Sequence, residues 1–245
     1  MKIDKKRFIN SYINYTKLCI FCATTKFLLK NTYICEWLSH LRTMKISPPK
    51  FIRKMLPELI WQIEDDRGVY LTFDDGPTPG ITEWILATLR RYDAKATFFV
   101  LGKNVEKYPD LYKKILDEGH RVGNHTYSHQ KGYLMSLERY LEDIDLASYS
   151  VQSNLFRPPY ARVTPSQLRA IAQRYKIVMW SVVSRDYNRK ISREWCLRGV
   201  LPHIKPGAII LFHDSEKSFV NMSYALPKTL EHIEKLGLKC KAIEL

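Results

Sequence analysis

The sequence predicts an α/β fold in which parallel strands alternate with helices, as a barrel or as an open sheet. From residue 69 onward, seven short β-branched or aromatic runs alternate with six segments of helical periodicity. A length of 245 residues allows one sizeable core, because α/β barrels reach that size without dividing. A hydrophobic content of 45% excludes disordered and low-complexity classes.

The elements follow one another with clear boundaries. The predicted strands are residues 69–73, 96–100, 121–124, 155–157, 177–182, 208–212 and 238–244. The predicted helices are residues 82–92, 108–118, 136–152, 164–175, 192–203 and 225–236. Gly119, Lys205-Pro206-Gly207 and Gly237 stop the elements before three of these strands. Because βα units repeat, most neighbouring strands are expected to be parallel.

Positive charge is concentrated near the N-terminus. The formal net charge is +14, and the first 60 residues hold 12 basic and 3 acidic residues. We therefore predict a basic N-terminal extension over residues 1–43, either associated with a membrane surface or non-native. Residues 44–67 are predicted to be a lead-in segment that packs on the barrel, and residues 68–245 the α/β domain itself. No nucleic-acid-binding motif is present, so nucleic acid is not an expected partner.

The cysteines and the N-terminal sequence give an expectation of the cellular location of the protein. Five scattered cysteines favour a reducing compartment over a disulfide scaffold. The apolar run from Leu18 to Ala23 is too short to span a bilayer, and no clean signal-peptide cleavage site follows it. A cytoplasmic or membrane-associated location is therefore expected rather than secretion. The sequence leaves the oligomeric state open.

Two adjacent carboxylates follow the first predicted strand. Adjacent side chains on an extended chain point in opposite directions, so Asp74 and Asp75 can serve different purposes, one facing a metal and the other a substrate. The alternative is a simple turn, because Asp-Gly-Pro is favourable turn chemistry. The carboxyl ends of barrel strands are where active sites form, which favours the functional interpretation.

Two histidines follow the third predicted strand. His125 and His129 are four residues apart, so a helical turn would place both on one face at a spacing suited to one zinc-like ion. Asp75 would complete a set of two histidines and one carboxylate. Two unrelated loop histidines are the alternative interpretation.

Arg157 and His213 are further strand-end candidates. Arg157 precedes two prolines, which fix the backbone, and its guanidinium could pair with a carboxylate or remain on the surface. His213 directly follows an apolar run, where it is either a core residue or a proton donor or acceptor.

In this order, the motifs resemble those of the polysaccharide deacetylases with a NodB-like domain, carbohydrate esterase family 4. The matching segments are Thr72-Phe73-Asp74-Asp75-Gly76-Pro77, His125-Thr126-Tyr127-Ser128-His129, Arg157-Pro158-Pro159-Tyr160, Ser184-Arg185-Asp186-Tyr187 and Leu211-Phe212-His213-Asp214. The likeness covers about residues 68–245. It implies a distorted (β/α) barrel of about seven strands.

The resemblance also implies roles for individual residues. Asp75, His125 and His129 would hold a divalent metal, usually Zn²⁺ in the family, with Co²⁺ and Ni²⁺ as alternatives. Asp74 would be the general base and His213 the general acid, with Arg157 orienting Asp74 and Asp186 orienting and tuning His213. Pro159 and Tyr160 would lie on the substrate side, where the backbone N–H of Tyr160 binds the oxyanion. Tyr187 and Leu211 would line the pocket for the acetyl methyl.

The fourth motif departs from the family pattern Asp-x-x-Asp-Trp. Val183 occupies the first acidic position and Tyr187 the tryptophan position, while the second acid is retained as Asp186. This change is expected to affect substrate range more than catalysis. The sequence therefore predicts a metal-dependent hydrolase that removes N-acetyl groups from amino sugars in a glycan such as peptidoglycan or a chitin-like oligomer. The alternatives are action on another amide or an O-acetyl ester, and a non-catalytic glycan-binding protein.

Overall fold

The structure is a computed structural model that describes residues 56–245. The predicted basic extension, the first part of the lead-in segment, and Cys19, Cys22 and Cys35 lie outside the described residues. The strands of the described residues are β1 Leu59–Ile60, β2 Gly68–Asp74, β3 Ala96–Val100, β4 Arg121–Asn124, β5 Leu155–Phe156, β6 Lys176–Val178, β7 Val182–Val183, β8 Ile209–His213 and β9 Lys239–Cys240.

The helices are α1 Ile81–Arg91, α2 Gly102–Lys107, α3 Pro109–Asp117, α4 Leu137–Ser148, α5 Pro165–Ala172, α6 Arg193–Val200 and α7 Phe219–Lys235. Side chains cap several of them. Ser136 and Ser192 accept hydrogen bonds from the backbones of Arg139 and Trp195 at the starts of α4 and α6. A reciprocal pair, Thr164 and Gln167, caps α5. In residues 56–245 no helix combines the length and apolar character needed to cross a bilayer.

The strands form the predicted distorted barrel. Their order is β1-β6-β5-β4-β3-β2-β8-β7, every neighbouring pair is parallel, and β9 pairs with the first residues of β2. All seven residues of β2 are buried, as expected for a central strand that is covered on both faces. Helices surround the curled sheet, so its inner face forms a separate small core.

Along each strand, successive side chains point alternately to the outer and inner faces of the curled sheet. In β2, Val69, Leu71 and Phe73 belong to the core beneath the helices, whereas Tyr70 belongs to the inner core. Side chains two residues apart share a face, so Thr72 and Asp74 continue the inner row that Tyr70 begins. In β8, Ile209 begins an inner row that continues through Leu211 to His213. The candidate site therefore lies at the carboxyl end of the inner face.

The structure has nine strands rather than about seven, for two reasons. Leu59–Ile60, within the predicted lead-in segment, forms an edge strand on β6. The predicted strand 177–182 is broken in two, because the chain changes partners between β6 and β7. The Met179 N–H donates to Ile60 of β1, and the Ser181 N–H donates to Ile209 of β8.

Some predicted boundaries also differ. The predicted helix 225–236 begins earlier, at Phe219, and Pro227 lies inside α7. Proline is favoured in a first helical turn, so Pro227 obscures the true start of α7 in the sequence. The short helix α2 was not predicted, and the predicted strand 238–244 is reduced to Lys239–Cys240.

Candidate active site

The strand ends bring the predicted carboxylates and histidines together. Asp74 ends β2, and in the parallel register it lies opposite His213, the last residue of β8. His125 directly follows β4, and Arg157 directly follows β5. Because all of these strands are parallel, their ends meet at one edge of the sheet, and side chains far apart in sequence become neighbours.

A buried arginine holds Asp74. The Arg157 side chain is fully buried, and its Nη1 donates to Asp74 Oδ1 at 2.7 Å and to Thr72 Oγ1 at 2.8 Å. Its Nε and Nη2 donate to the carbonyls of Val178 and Met179, where the chain passes from β6 to β7. This pairing compensates a buried charge that would otherwise be costly. Arg157 thus fixes the orientation of the Asp74 carboxylate.

Asp75 lies in a bend directly after β2. Its backbone adopts a left-handed conformation, with φ of 84°, immediately after the strand. Asp75 Oδ1 lies 3.2 Å from His129 Nε2 and 3.7 Å from His125 Nε2. Burial opposes ionisation of Asp75, but the surrounding imidazoles of His129, His213 and His125 hold its pKa below the usual range. Its carboxylate therefore remains charged beside two imidazoles.

The tautomer of His125 suits a metal ligand. Its Nδ1 lies 2.7 Å from the carbonyl oxygen of Arg157. A carbonyl only accepts, so Nδ1 carries the proton and Nε2 keeps a lone pair. Burial lowers the pKa of His125 to about 4, which keeps the ring neutral. Arg157 therefore orients His125 with its backbone and Asp74 with its side chain.

The two histidines do not lie on a helical turn, contrary to the expectation from their spacing. Thr126 and His129 both have positive φ, 68° and 59°, so the segment after β4 is an irregular loop. The loop is tied down by hydrogen bonds, since the Thr126 N–H donates to Asn124 Oδ1 and the His129 N–H donates to Thr126 Oγ1. The loop still brings the rings together, with centroids 5.2 Å apart.

The donor set fits a divalent cation. One ligand atom each from Asp75, His125 and His129 lies within 4.8 Å of the others. Asp75 Oδ1 is buried and has no hydrogen-bond partner, although buried carboxylate oxygens are normally satisfied. Two histidines and one carboxylate form a combination that zinc-like ions accept while keeping an open position. The structure therefore places the three predicted ligands in one candidate metal site.

A second dyad faces this group from β8. His213 Nδ1 lies 2.8 Å from Asp186 Oδ1, and the His213 backbone N–H donates to Asp186 Oδ2. Burial alone would favour the neutral imidazole, but the buried Asp186 carboxylate outweighs it and raises the pKa of His213 to about 9. His213 is therefore protonated at neutral pH, and its Nε2 is the nitrogen left to donate a proton.

The remaining predicted residues surround these groups. Tyr160 has a φ of 60°, and its ring packs edge-on against His129 at 4.8 Å. The Tyr187 ring packs edge-on against His213 at 5.0 Å. Pro159 is buried at the start of a 3₁₀ turn, Pro159–Ala161, and Leu211 is buried in β8 beside Val183. The two tyrosines thus lie on opposite sides of the site, one by the ligands and one by His213.

Comparison with known proteins identifies the family. A family model described as polysaccharide deacetylase matches residues 62–180. A peptidoglycan-N-acetylglucosamine deacetylase of Bacillus cereus is 32% identical over 193 residues, covering 73% of this chain and 88% of that protein. The chain belongs to the polysaccharide deacetylase family. Members of this family are metal-dependent, and Asp75, His125 and His129 provide the candidate site.

Other deacetylases are also similar to the chain. A second peptidoglycan-N-acetylglucosamine deacetylase of Bacillus cereus is 37% identical over 181 residues, covering 70% of this chain. The peptidoglycan-N-acetylglucosamine deacetylase PgdA of Listeria monocytogenes is 34% identical over 185 residues, covering 73% of this chain. The matched regions span 65% of this Bacillus cereus protein and 38% of PgdA.

Two solved structures of similar proteins share the fold. A peptidoglycan N-acetylglucosamine deacetylase in complex with an N-oxidanyl-benzamide superposes with a TM-score of 0.70 and 32% identity, covering 76% of this chain and 91% of that one. A family 4 carbohydrate esterase from Streptomyces lividans in complex with acetate gives a TM-score of 0.65 and 28% identity. The match covers 74% of this chain and 95% of that one.

From the sequence, no role was assigned to three polar residues that hold this site together. Thr72 accepts from Arg157, and its position two residues before Asp74 on the same face of β2 was the available signal. Asp143 of α4 accepts from the hydroxyl of Ser128 in the histidine loop at 2.7 Å, and its backbone carbonyl accepts from Tyr127. No sequence pattern indicated that contact.

Asp214 is the third missed residue. Its backbone N–H donates to the carbonyl of Asp74, and its Oδ2 accepts from Thr82 Oγ1 at 2.6 Å. Burial raises the pKa of Asp214 to about 8, so its carboxyl is largely neutral at pH 7. A Cβ at Gly76 would lie 2.2 Å from Asp214 Oδ2, so only glycine fits there. Asp214 thus packs directly behind the turn that carries Asp75.

Proposed function

We propose that the protein hydrolyses N-acetyl groups of amino sugars in a glycan, releasing acetate and a free amine. One observation carries this proposal: a buried Asp–Arg pair and a protonated His–Asp pair lie on either side of a three-residue set suited to a metal ion. Amide hydrolysis requires an activated water, a polarised carbonyl and a protonated leaving nitrogen. Each requirement has a candidate group here.

The candidate metal site defines one part of the reaction. A divalent metal, which we propose to be Zn²⁺, would be held by Asp75, His125 and His129 and would supply a Lewis acid that polarises the carbonyl and acidifies water. Asp75 contributes a negative charge, His125 is neutral with a lone pair on Nε2, and His129 offers a ring nitrogen. Arg157 keeps the ligating nitrogen of His125 deprotonated through its carbonyl.

Proton transfer falls to Asp74 and His213. Asp74 takes a proton from the attacking water, and the hydrogen bond from Arg157 keeps its carboxylate oriented. As the C–N bond breaks, His213 gives a proton to the departing sugar nitrogen, while Asp186 stabilises the imidazolium before transfer. We assign the backbone N–H of Tyr160 to the developing oxyanion, and Tyr187 and Leu211 to the acetyl methyl.

The substrate class is also a proposal. The similar proteins of Bacillus cereus and Listeria monocytogenes are named peptidoglycan-N-acetylglucosamine deacetylases, and one similar structure holds acetate, the expected product. These names support peptidoglycan as the glycan, with a chitin-like oligomer as the alternative.

The first experiment measures acetate released by the metal-stripped protein, with and without added Zn²⁺. Its substrates are N-acetylglucosamine oligomers and peptidoglycan fragments. Zinc-restored release from either substrate is expected. If zinc binds but neither substrate releases acetate, the proposed reaction is wrong, and an O-acetylated glycan becomes the next substrate to assay.

A further inference from the structure

One side of the site carries a cluster of positively charged side chains, here called the basic surface. These cations lie on the loop after β7, the start of α6, the loop after β8 and the first three turns of α7: Arg185, Arg189, Lys190, Arg193, Lys217 and Lys228. Arg189, Lys190, Arg193, Lys217 and Lys228 are exposed. The catalytic scheme uses none of the six.

The basic surface holds half of the charge excess of the described residues. Residues 56–245 contain 27 basic and 23 acidic side chains, so their net charge is +4. The segments of the basic surface carry four acids, Asp186, Glu194, Asp214 and Glu216, against its six cations, and so hold two of those four excess charges. Asp186 and Asp214 are buried, and Glu194 pairs with Arg193. The exposed charged side chains of this surface are therefore five cations and two acids.

Contacts between the elements join these cations into one surface. The Tyr224 ring on α7 lies between Arg193 of α6, at 4.7 Å, and Lys228, at 4.3 Å. Asn221 of α7 donates to the carbonyls of Asp186 and Asn188, which fixes the loop that carries Arg189 and Lys190. The position of the loop cations relative to α7 is therefore set by the fold.

The basic surface reaches the reacting groups through Tyr187. Lys217 lies over the Tyr187 ring at 5.8 Å, and the same ring packs against His213 at 5.0 Å. Arg185 immediately precedes Asp186, the partner of His213. A ligand held by these cations would therefore lie beside the proton donor.

We propose that the basic surface binds carboxylate groups of the glycan chain, so that the substrate is an anionic amino-sugar polymer rather than a neutral one. This inference rests on the proposed function and specifies its substrate. Exposed charges that face a substrate act mainly on association and selectivity. Substituting the cations of the basic surface should therefore change kcat/KM and its dependence on salt concentration.

The test compares two forms of one substrate: peptidoglycan fragments with free carboxylates, and the same fragments with those carboxylates amidated. The variants of the zinc-loaded full chain are Lys217→Gln and the double variant Arg189→Gln/Lys190→Gln. The matched control is Lys176→Gln/Lys205→Gln, which removes two exposed lysines from the opposite end of the barrel strands. Acetate release gives kcat/KM at low and high salt.

We expect the double variant to lower kcat/KM for the free-carboxylate substrate about 3- to 10-fold at low salt, as for two exposed charge pairs. The loss should shrink at high salt, and the amidated substrate should change by less than about twofold. The control double variant should leave both substrates unchanged. Equal losses on the two substrates, or no loss on either, would overturn the proposal.

A binding measurement separates this inference from the reaction itself. In an Asp74→Asn background, which removes the base, co-sedimentation with insoluble peptidoglycan should weaken on Arg189→Gln/Lys190→Gln and on amidation of the peptidoglycan. Failure to release acetate from any substrate would refute the proposed function and leave this result standing. Unchanged peptidoglycan binding, with loss of binding to phosphatidylglycerol vesicles, would assign the surface to a membrane and overturn the inference.

Discussion

Asp74 is paired with the buried Arg157 and lies beside a candidate metal site. Asp74→Asn keeps the hydrogen-bond acceptor but removes the base. We expect kcat to fall by about 10²- to 10⁴-fold, while the metal Kd changes little because Asp74 is not among the three candidate ligands. Acetate release and zinc titration together check this. Full metal-dependent activity in the variant would show that another group is the base.

The His213–Asp186 pair predicts a specific pH dependence. With a folded-state pKa of about 9, His213 stays protonated through neutral pH, and activity should fall as the pH rises through that value. The charge pair also stabilises the fold below about pH 6.5, and that stabilisation disappears as the pH approaches 9. Asp186→Asn removes the charge, so the alkaline limb of kcat should move about two pH units lower.

The matched control for this shift is Glu231→Gln, which removes an exposed acid paired with Lys235 on α7. Its pH profile should match that of the unmodified protein. An alkaline limb that stays in place in Asp186→Asn would mean that His213 is not the group whose titration limits the rate.

For Asp214 the prediction concerns the free energy of unfolding, because its carboxyl is largely neutral at pH 7. Asp214→Asn retains an oxygen acceptor for Thr82 and should change the free energy of unfolding little. Asp214→Ala leaves the Thr82 hydroxyl without its buried partner and should cost about 1–3 kcal/mol. Denaturant unfolding of both variants and of Thr82→Ala measures this. Equal destabilisation by the asparagine and alanine variants would contradict a neutral carboxyl.

At the scale of elements, the histidine loop depends on α4. Asp143 accepts from Ser128 in this loop, so Asp143→Ala should loosen the loop and weaken the metal Kd about 10-fold. Asp145→Ala is the control, because Asp145 lies on the same helix and pairs with Arg174 instead. Zinc titration of both variants gives the comparison. Equal metal Kd values would show that α4 does not hold the ligands in place.

The elements also show which features a sequence can predict. The positions of Asp74 and His213 at strand ends could be predicted, because each residue directly follows an apolar, β-prone run. The break between β6 and β7 could not, because residues 176–183 form one uninterrupted β-prone run. The break arises from a change of partner strand, β1 for Met179 and β8 for Ser181, and partners are a property of the assembled sheet.

Some features of the candidate site could likewise be predicted from the sequence, and others could not. The sequence motifs predicted its principal residues, and the structure brings those residues together. The positive φ values at Thr126 and His129 could not be predicted, because a spacing of four residues usually indicates a helix. The support from Asp143 joins a loop to a distant helix turn, and only the packed structure shows it.

At the scale of the whole molecule, a ligand that binds only the folded state stabilises it by mass action. Zn²⁺ at about 100 times its Kd should add about 2.7 kcal/mol to the free energy of unfolding. For a domain of this size, this raises Tm by about 5–10 °C over the metal-stripped protein. Thermal unfolding with and without zinc checks this, and His125→Ala should abolish the shift. An unchanged Tm in the zinc-loaded protein would argue against a metal bound within the fold.

The strand order has a consequence for how the protein is made. β8 lies beside β2, although the 134 residues from 75 to 208 separate them in sequence. On the ribosome, β2, β3 and β4 emerge well before β8, and they bring Asp75, His125 and His129 within reach of one another. His213 joins them only when β8 adds to the free side of β2. A nascent chain can therefore capture a cation early, whereas the ability to turn over substrate arises in one late step.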